Sequence, residues 1–111
     1  ATWCPPCREE IPGFVRLQAH FAEQGVQFLG VALDSVENVQ TFLTEQPMNY
    51  PTLLGEQDAM QAATAFGNSS GALPYTALVG TDGTILDVHA GELSEQSARQ
   101  MIERHLAPKQ P

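Results

Sequence analysis

Ala1-Thr2-Trp3-Cys4-Pro5-Pro6-Cys7 opens the chain and holds both of its cysteines. A helix-like run follows at once, so the C-x-x-C spacing places the two sulfurs at the start of a helix, on neighbouring turns. There they can close a small disulfide ring and reopen it by thiol exchange. A ring this short constrains the unfolded chain little, which makes a purely structural disulfide the weaker interpretation. The opening stretch therefore predicts redox chemistry.

Length and composition describe one folded domain. A chain of 111 residues, 42% of them hydrophobic and 16% charged, can build a single packed core. Thirteen acids against five bases give a formal net charge of −8, which argues against nucleic acid and anionic membranes as partners. The two cysteines and three histidines lack the spacing of a four-ligand zinc site, so no metal is expected. No apolar run approaches the roughly 20 residues of a membrane span.

Hydrophobic spacing divides the rest of the chain into helices and strands. Helices are predicted from Pro5 to about Gln24, from 35 to 46, from Asp58 as N-cap to Gly67, and from Ser94 to just before Pro108. Strands are predicted at 26–33, at 50–54 as a short edge strand, and at 75–80 and 84–89 as a hairpin around Asp82-Gly83. The run 26–33 is nearly all apolar, which predicts burial on both faces and a parallel sheet. Pro12 predicts a kink in the first helix, and the tail from Pro108 is predicted to fray.

Three features together resemble a known family: the W-C-x-x-C opening, Pro12 five residues after the second cysteine, and Leu73-Pro74-Tyr75-Thr76 ahead of an apolar strand. They resemble the thioredoxin-like superfamily, specifically its extracytoplasmic TlpA/ResA-type thiol-disulfide oxidoreductases. The resemblance implies one thioredoxin-like α/β domain over residues 1–111, with a central mixed sheet flanked by helices. The helix at 35–46 and the strand at 50–54 resemble the TlpA/ResA insertion, which plain thioredoxins lack.

The resemblance also implies a strand that this sequence does not contain. In the family, the residues leading into W-C-x-x-C form a buried parallel strand, expected here between 27–33 and 75–80, and only Ala1-Thr2 remains of it. An empty slot would leave backbone groups unpaired in an apolar interior at about 1–3 kcal/mol each. We therefore expect an N-terminally incomplete domain, monomeric unless another chain supplies the strand. Any membrane anchor would belong to that missing segment.

The two cysteines have different predicted roles. Cys4 stands where unpaired N–H groups and the positive end of the helix dipole stabilise a thiolate, so it is the expected nucleophile, exposed and with a lowered pKa. Cys7, one turn further, is expected to be largely buried and to resolve the mixed disulfide. Pro5 and Pro6 stiffen the loop and remove two N–H donors, which tunes the reduction potential in a direction that the sequence leaves open. Glu9-Glu10 is assigned to a solvated first turn.

Three further positions are candidates for support of the active site. Trp3 is either a partly exposed shield for the disulfide or a core aromatic. The resemblance makes Leu73–Pro74 the family's cis-proline bond, packed beside the disulfide, with the backbone of Leu73 turned towards a substrate chain. Asp34 stands where ResA-like proteins carry an active-site acid, which would exchange a proton with Cys7, and it equally suits a helix N-cap.

The leading hypothesis is a thiol-disulfide oxidoreductase that exchanges electrons between the Cys4–Cys7 pair and protein dithiols, with no cofactor beyond that disulfide. The resemblance implies an upstream thiol-disulfide donor and a periplasmic or other extracytoplasmic location. It also permits a role as a reductant in cytochrome c maturation. The alternative is a Cu(I)-delivery domain, since soft sulfur ligands select that ion, although Sco-type copper carriers use C-x-x-x-C and a distant histidine. A peroxiredoxin is disfavoured, because its motif places a threonine before the peroxidatic thiol.

Overall fold

The structure, a computed structural model, describes residues 1–106. The helices are α1 (Pro5–Phe21), continued by a short 3₁₀ helix (Ala22–Gln24), α2 (Val36–Glu45), α3 (Gln57–Ala65) and α4 (Glu95–His105). The strands are β1 (Gly30–Leu33), β2 (Thr52–Gly55), β3 (Tyr75–Val79) and β4 (Ile85–Ala90). The predicted order of helices and strands is confirmed. The predicted fraying from Pro108 lies outside the described residues.

The described strands form two sheets of two strands each. β1 and β2 are parallel, with Gly30 opposite Thr52. β3 and β4 are antiparallel and joined by a turn in which Gly83 has a φ of 87°, as the Asp-Gly pair predicted. The α/β class, the parallel pair and the hairpin are confirmed, while the sheet expected to be single is divided into a parallel and an antiparallel part.

The strand expected between 27–33 and 75–80 has no counterpart in residues 1–106. β1 and β3 share no ladder there, so the two segments are not paired directly with one another. What precedes Ala1 in the polypeptide stays a prediction. Several large apolar side chains of both sheets are exposed: Val31, Leu53, Leu54, Val79, Ile85, Leu86 and Val88.

β1 is shorter and more exposed than predicted. Val31 is 54% exposed, so the expectation of a strand buried on both faces is wrong. Gln18 of α1 explains the late start of the strand. This buried side chain donates from Nε2 to the Val26 carbonyl at 2.9 Å and accepts from the Phe28 N–H at Oε1 at 2.6 Å. Because it satisfies backbone groups that a sheet ladder would use, residues 26–28 are held by α1 instead.

The core lies between α1 and α4. Its buried members are Leu17, Phe21, Leu93, Ala98, Met101 and Ile102. Among the partly buried residues packed against this core, Leu78 of β3 belongs to a strand, and Phe28 precedes β1. α4 therefore anchors the second half of α1, and the cysteines lie at the opposite end of the same helix.

Serine side chains cap two of the helices. Ser35 Oγ accepts from Asn38 N at the start of α2, and Ser94 Oγ accepts from Ser97 N at the start of α4. The prediction that Asp58 caps the third helix is wrong, because α3 already begins at Gln57. Asp58 lies within the first turn, where its Oδ1 accepts from Glu56 N. α1 continues through Pro12, and the angle of the predicted kink stays a prediction.

Candidate active site

The two cysteines form a disulfide at the N-terminus of α1. Cys4 is the N-cap residue, Pro5 and Pro6 occupy the first two helical positions, and the Cα atoms of Cys4 and Cys7 are 5.3 Å apart. Because the prolines have no N–H, Cys7 supplies the first backbone donor of the helix. This N–H points at Cys4 Sγ over an N–S distance of 3.4 Å. A thiolate on Cys4 would receive the same hydrogen bond and the positive end of the helix dipole.

The exposure of the two cysteines is the reverse of what the sequence predicted. Cys4 is only 5% exposed, whereas Cys7 is half-buried. As the N-cap, Cys4 has an extended backbone (φ −103°, ψ 104°), and its side chain accepts from Cys7 N. The prediction of an accessible Cys4 and a buried Cys7 is therefore wrong for the disulfide form. Which thiol attacks and which resolves stays a prediction.

Trp3 is 64% exposed, which supports its interpretation as a surface aromatic beside the disulfide and not as a core residue. It borders a cavity of about 370 Å³, hereafter the Trp3 cavity. The lining residues are Trp3, Leu33, Asp34, Ser35, Glu56, Gln57 and Met60. The cavity brings the residue before Cys4 together with the ends of β1 and β2 and the start of α3.

Asp34 joins the segment before Trp3 to the start of α2. Its carboxylate accepts from both the N–H and the hydroxyl of Thr2, from Ser35 N at 2.8 Å and from Asn38 Nδ2 at 2.9 Å. The Thr2 hydroxyl, followed by the Asn38 amide, holds the pKa of Asp34 well below its usual range. The cap of α2 is Ser35, so the N-cap interpretation of Asp34 is wrong. Proton exchange with Cys7 stays a prediction, and the lowered pKa weighs against Asp34 as a donor at neutral pH.

The Leu73–Pro74 peptide bond is cis, as the resemblance implied. Pro74 is buried, and its carbonyl accepts from Gly91 N at 2.8 Å. The loop before it is braced by buried Asn68, whose side chain donates to the Ala72 carbonyl and accepts from the Ala72 N–H. Packing of this loop against the disulfide, and the orientation of the Leu73 backbone, stay predictions.

Glu10 is a candidate that the sequence analysis missed. It is half-buried on α1, accepts from Leu93 N at 2.9 Å, and burial raises its pKa to about 7. Its assignment to a solvated first turn is wrong, whereas Glu9 is exposed as expected. Helical periodicity could have found it, because Glu10 is in step with buried Leu17 and Phe21 at spacings of seven and eleven.

Within residues 1–106, no group of three or more histidine, cysteine, aspartate or glutamate side chains is arranged to hold a metal ion. None of the helices in that range combines the length and apolar character needed to cross a membrane.

Comparison with known proteins identifies the family. A family model described as AhpC/TSA matches residues 1–88. The chain belongs to the AhpC/TSA family. Within it, the chain is 31% identical over 103 residues to the thiol-disulfide oxidoreductase ResA of Halalkalibacterium halodurans, covering 92% of this chain and 56% of that protein. It is 30% identical over 111 residues to ResA of Geobacillus kaustophilus, covering 99% of this chain and 59% of that one. The chain thus spans less than two thirds of the length of these relatives.

Solved structures with this fold include two that bear on the site. A thioredoxin-family thiol:disulfide interchange protein from Chlorobium tepidum superposes with a TM-score of 0.82 at 28% identity, covering 96% of this chain and 75% of that one. A thioredoxin-related protein from Neisseria meningitidis gives a TM-score of 0.78 at 29% identity, covering 93% of this chain and 77% of that one. The predicted thioredoxin-like fold and the ResA-type resemblance are confirmed.

Proposed function

We propose that the protein is a thiol-disulfide oxidoreductase whose Cys4–Cys7 pair exchanges electrons with protein dithiols. The observation that carries this proposal is the disulfide at the N-terminus of α1, with the Cys7 N–H directed at Cys4 Sγ. The names of the ResA relatives and of the thiol:disulfide interchange protein from Chlorobium tepidum support it.

In the proposed reaction, the reduced protein begins with Cys4 as thiolate. This sulfur attacks one sulfur of a client disulfide, a Cys4–client disulfide forms, and the other client sulfur leaves as a thiolate that takes up a proton. Cys7 then loses its proton and attacks Cys4 Sγ, which releases the second client sulfur. Two electrons pass to the client, and the protein ends as the Cys4–Cys7 disulfide. The reverse sequence oxidises a client dithiol.

We propose that Glu10, more than Asp34, exchanges the proton of Cys7. Glu10 follows Cys7 by three residues on α1, a spacing that puts two side chains on the same helix face. With a pKa of about 7 it is partly protonated at neutral pH and can both accept and return a proton. Asp34 stays ionised at that pH because of its hydrogen bonds.

The test of the proposed function is a pair of cysteine variants. Cys4→Ser should abolish reduction of a protein disulfide, because no attacking thiolate remains. Cys7→Ser should accumulate covalent mixed disulfides with the substrate, because the resolving thiol is gone. Mass spectrometry of alkylated mixtures measures both outcomes. Full turnover by Cys7→Ser would contradict the assigned roles. They would also be contradicted if Cys4→Ser formed mixed disulfides through Cys7 while Cys7→Ser formed none through Cys4.

We further propose an extracytoplasmic, periplasm-like location, with an upstream thiol-disulfide donor and a role as reductant in a pathway such as cytochrome c maturation. The ResA-type resemblance supports this placement. The equilibrium potential of the Cys4–Cys7 pair tests the direction of electron flow: a value near −270 mV supports a reductant, and one near −120 mV an oxidant, on the order of the known extremes. Titration of the reduced protein with Cu(I) tests the copper alternative, which requires tight one-to-one binding and no disulfide exchange.

A further inference from the structure

The Trp3 cavity adjoins the active site yet has no part in the proposed chemistry. Trp3, the only tryptophan of the chain, immediately precedes Cys4, and Leu33 and Met60 supply further apolar surface. Met60 is 41% exposed, so solvent and other molecules can reach this surface. The Trp3 cavity is open to solvent along most of its surface, so it suits a side chain of a polypeptide that lies across it and not an enclosed small ligand.

The charges around the Trp3 cavity are all of one sign. Asp34 and Glu56 line it, and no lysine or arginine among residues 1–106 does so. Arg8, the basic residue nearest in sequence to Cys4, lies instead over the ring of Phe42, with its guanidinium carbon 5.7 Å from the ring centre. Asp34 is ionised at neutral pH, so an arriving molecule meets apolar surface flanked by carboxylates, and the charge of Asp34 is stabilised by hydrogen bonds from Thr2, Ser35 and Asn38.

We propose that the Trp3 cavity docks a segment of the client polypeptide in which an apolar side chain stands next to a lysine or arginine. The apolar group would pack against Trp3, Leu33 and Met60, and the cation would lie by the carboxylates of Asp34 and Glu56. The indole face of Trp3 offers the cation a further favourable contact. This proposal rests on the proposed function, because it assigns a client class to the same cysteine pair.

The arrangement discriminates by repulsion as well as by attraction. An acidic segment would bring like charges together at the cavity, whereas a basic one is drawn towards a protein whose net charge is −8. Docking beside Trp3 also holds a client sulfur near Cys4 for longer. Basic clients should therefore react faster without any change in the chemistry of the thiols.

Binding is tested first, separately from reaction, with the oxidised protein and capped peptides that contain no cysteine. Three peptides carry one leucine flanked by lysines, by glutamates or by serines, and the fluorescence of Trp3 reports binding. At low ionic strength the lysine peptide should bind about tenfold more tightly than the glutamate peptide. Near 1 M salt, where the screening length is about 3 Å, the preference should largely disappear.

Two variants of cavity residues distinguish the contribution of charge from that of apolar contact, and a third variant serves as a control. Glu56→Gln should reduce the lysine-over-glutamate preference to about threefold, because one of two carboxylates is lost. Glu23→Gln is its matched control: Glu23 lies beyond the far end of α1, on the order of 25–30 Å from Cys4 at about 1.5 Å per residue, and should leave the preference unchanged. Met60→Gln should weaken all three peptides alike and keep the preference.

Reaction rates with disulfide-linked forms of the same peptides complete the test, with hydroxyethyl disulfide as a small neutral substrate. The peptide preference should reappear in the rates, and all four proteins should reduce hydroxyethyl disulfide equally. Equal binding of lysine and glutamate peptides, or an equal effect of Glu56→Gln and Glu23→Gln, would overturn the docking proposal. If the wild type neither reduces hydroxyethyl disulfide nor oxidises a dithiol, the proposed function is overturned instead, while the binding measurements still decide on docking.

Discussion

Glu10 shows how burial in the folded chain changes the pKa of a carboxyl group, against the opposing effect of a hydrogen bond. Its carboxylate accepts from Leu93 N, which lies 83 residues away in sequence, and its neighbours withdraw it from water. Burial penalises the charged form, so the pKa rises to about 7. Glu9 next to it is exposed. Two adjacent glutamates of one helix thus stand in different environments, and Glu10 is the half-buried one whose pKa is raised.

Glu10 should make the folded protein lose stability as the pH rises from about 4.5 to about 7. In that window the folded state keeps a proton that the unfolded chain has already released, so unfolding becomes easier with increasing pH and levels off above about 7. Glu10→Gln should flatten this slope, and Glu9→Gln should keep it. Urea midpoints measured across the window, with the disulfide intact, check the prediction. An unchanged slope in Glu10→Gln would contradict it.

Asp34 should control the order of the segment that carries Trp3. Replacement by Asn removes the charge that strengthens the hydrogen bonds from Thr2, and the anisotropy of Trp3 fluorescence should fall as the segment loosens. Thr2→Val removes only the hydroxyl donor and should have a smaller effect in the same direction. Because the pKa of Asp34 is lowered, the wild-type anisotropy should stay constant between about pH 5 and pH 8. Equal anisotropy in wild type and Asp34→Asn would refute this role.

Among the secondary-structure elements, α1 contacts both the core helix α4 and the segment that leads into β1. Leu17 and Phe21 pack into the core with α4, and Gln18, between them in sequence, takes over the backbone of residues 26–28. A helix side chain thus replaces a strand partner, and β1 begins only at Gly30. The N-terminus of the same helix carries the disulfide, so contacts made further along α1 position the active site.

Gln18→Met should destabilise the protein by about 2 kcal/mol or more, because the buried N–H of Phe28 and carbonyl of Val26 lose their partners while the side chain keeps its length. Gln24→Met, at an exposed position of the following 3₁₀ helix, should change stability by less than about 0.5 kcal/mol. Equilibrium urea unfolding measures the difference. Amide hydrogen exchange should also speed up at Phe28 in Gln18→Met. Similar stabilities of the two variants would count against the role of Gln18.

At the scale of the whole molecule, burial is uneven. The packed core lies between α1 and α4, while both small sheets keep large apolar side chains exposed in the described residues. Leu17 has no exposed surface, and Leu53 on β2 is 55% exposed. The free energy of folding should therefore come mainly from the helical side of the domain.

A matched pair of leucine variants tests this distribution. Leu17→Ala should cost about 2–5 kcal/mol, because it leaves a cavity in the core. Leu53→Ala should cost less than about 0.5 kcal/mol in the chain of 111 residues. Thermal or urea unfolding measures both. A cost for Leu53→Ala close to that of Leu17→Ala would mean that Leu53 is covered in solution, and the exposed sheets would then have a partner.

Features that depend on a few neighbouring residues were predictable from the sequence. Helix periodicity, the Asp82-Gly83 turn and the C-x-x-C spacing act locally, so their patterns predicted the elements, their order and the disulfide. The cis bond before Pro74 and the ResA-type fold followed from resemblance.

Which polar groups meet depends on contacts between distant parts of the folded chain. Glu10 accepts from a residue 83 positions away, and Asp34 accepts from Thr2 across 32 positions, so neither hydrogen-bond partner follows from a local pattern. Periodicity places Glu10 on the inward face of α1, but the burial that raises its pKa comes from other parts of the folded chain. The burial of Cys4 likewise contradicted an estimate made from helix position alone. The late start of β1 was set by Gln18, a residue of another element. Burial and hydrogen bonding depend on what the folded chain brings alongside a residue, and short-range patterns do not contain that information.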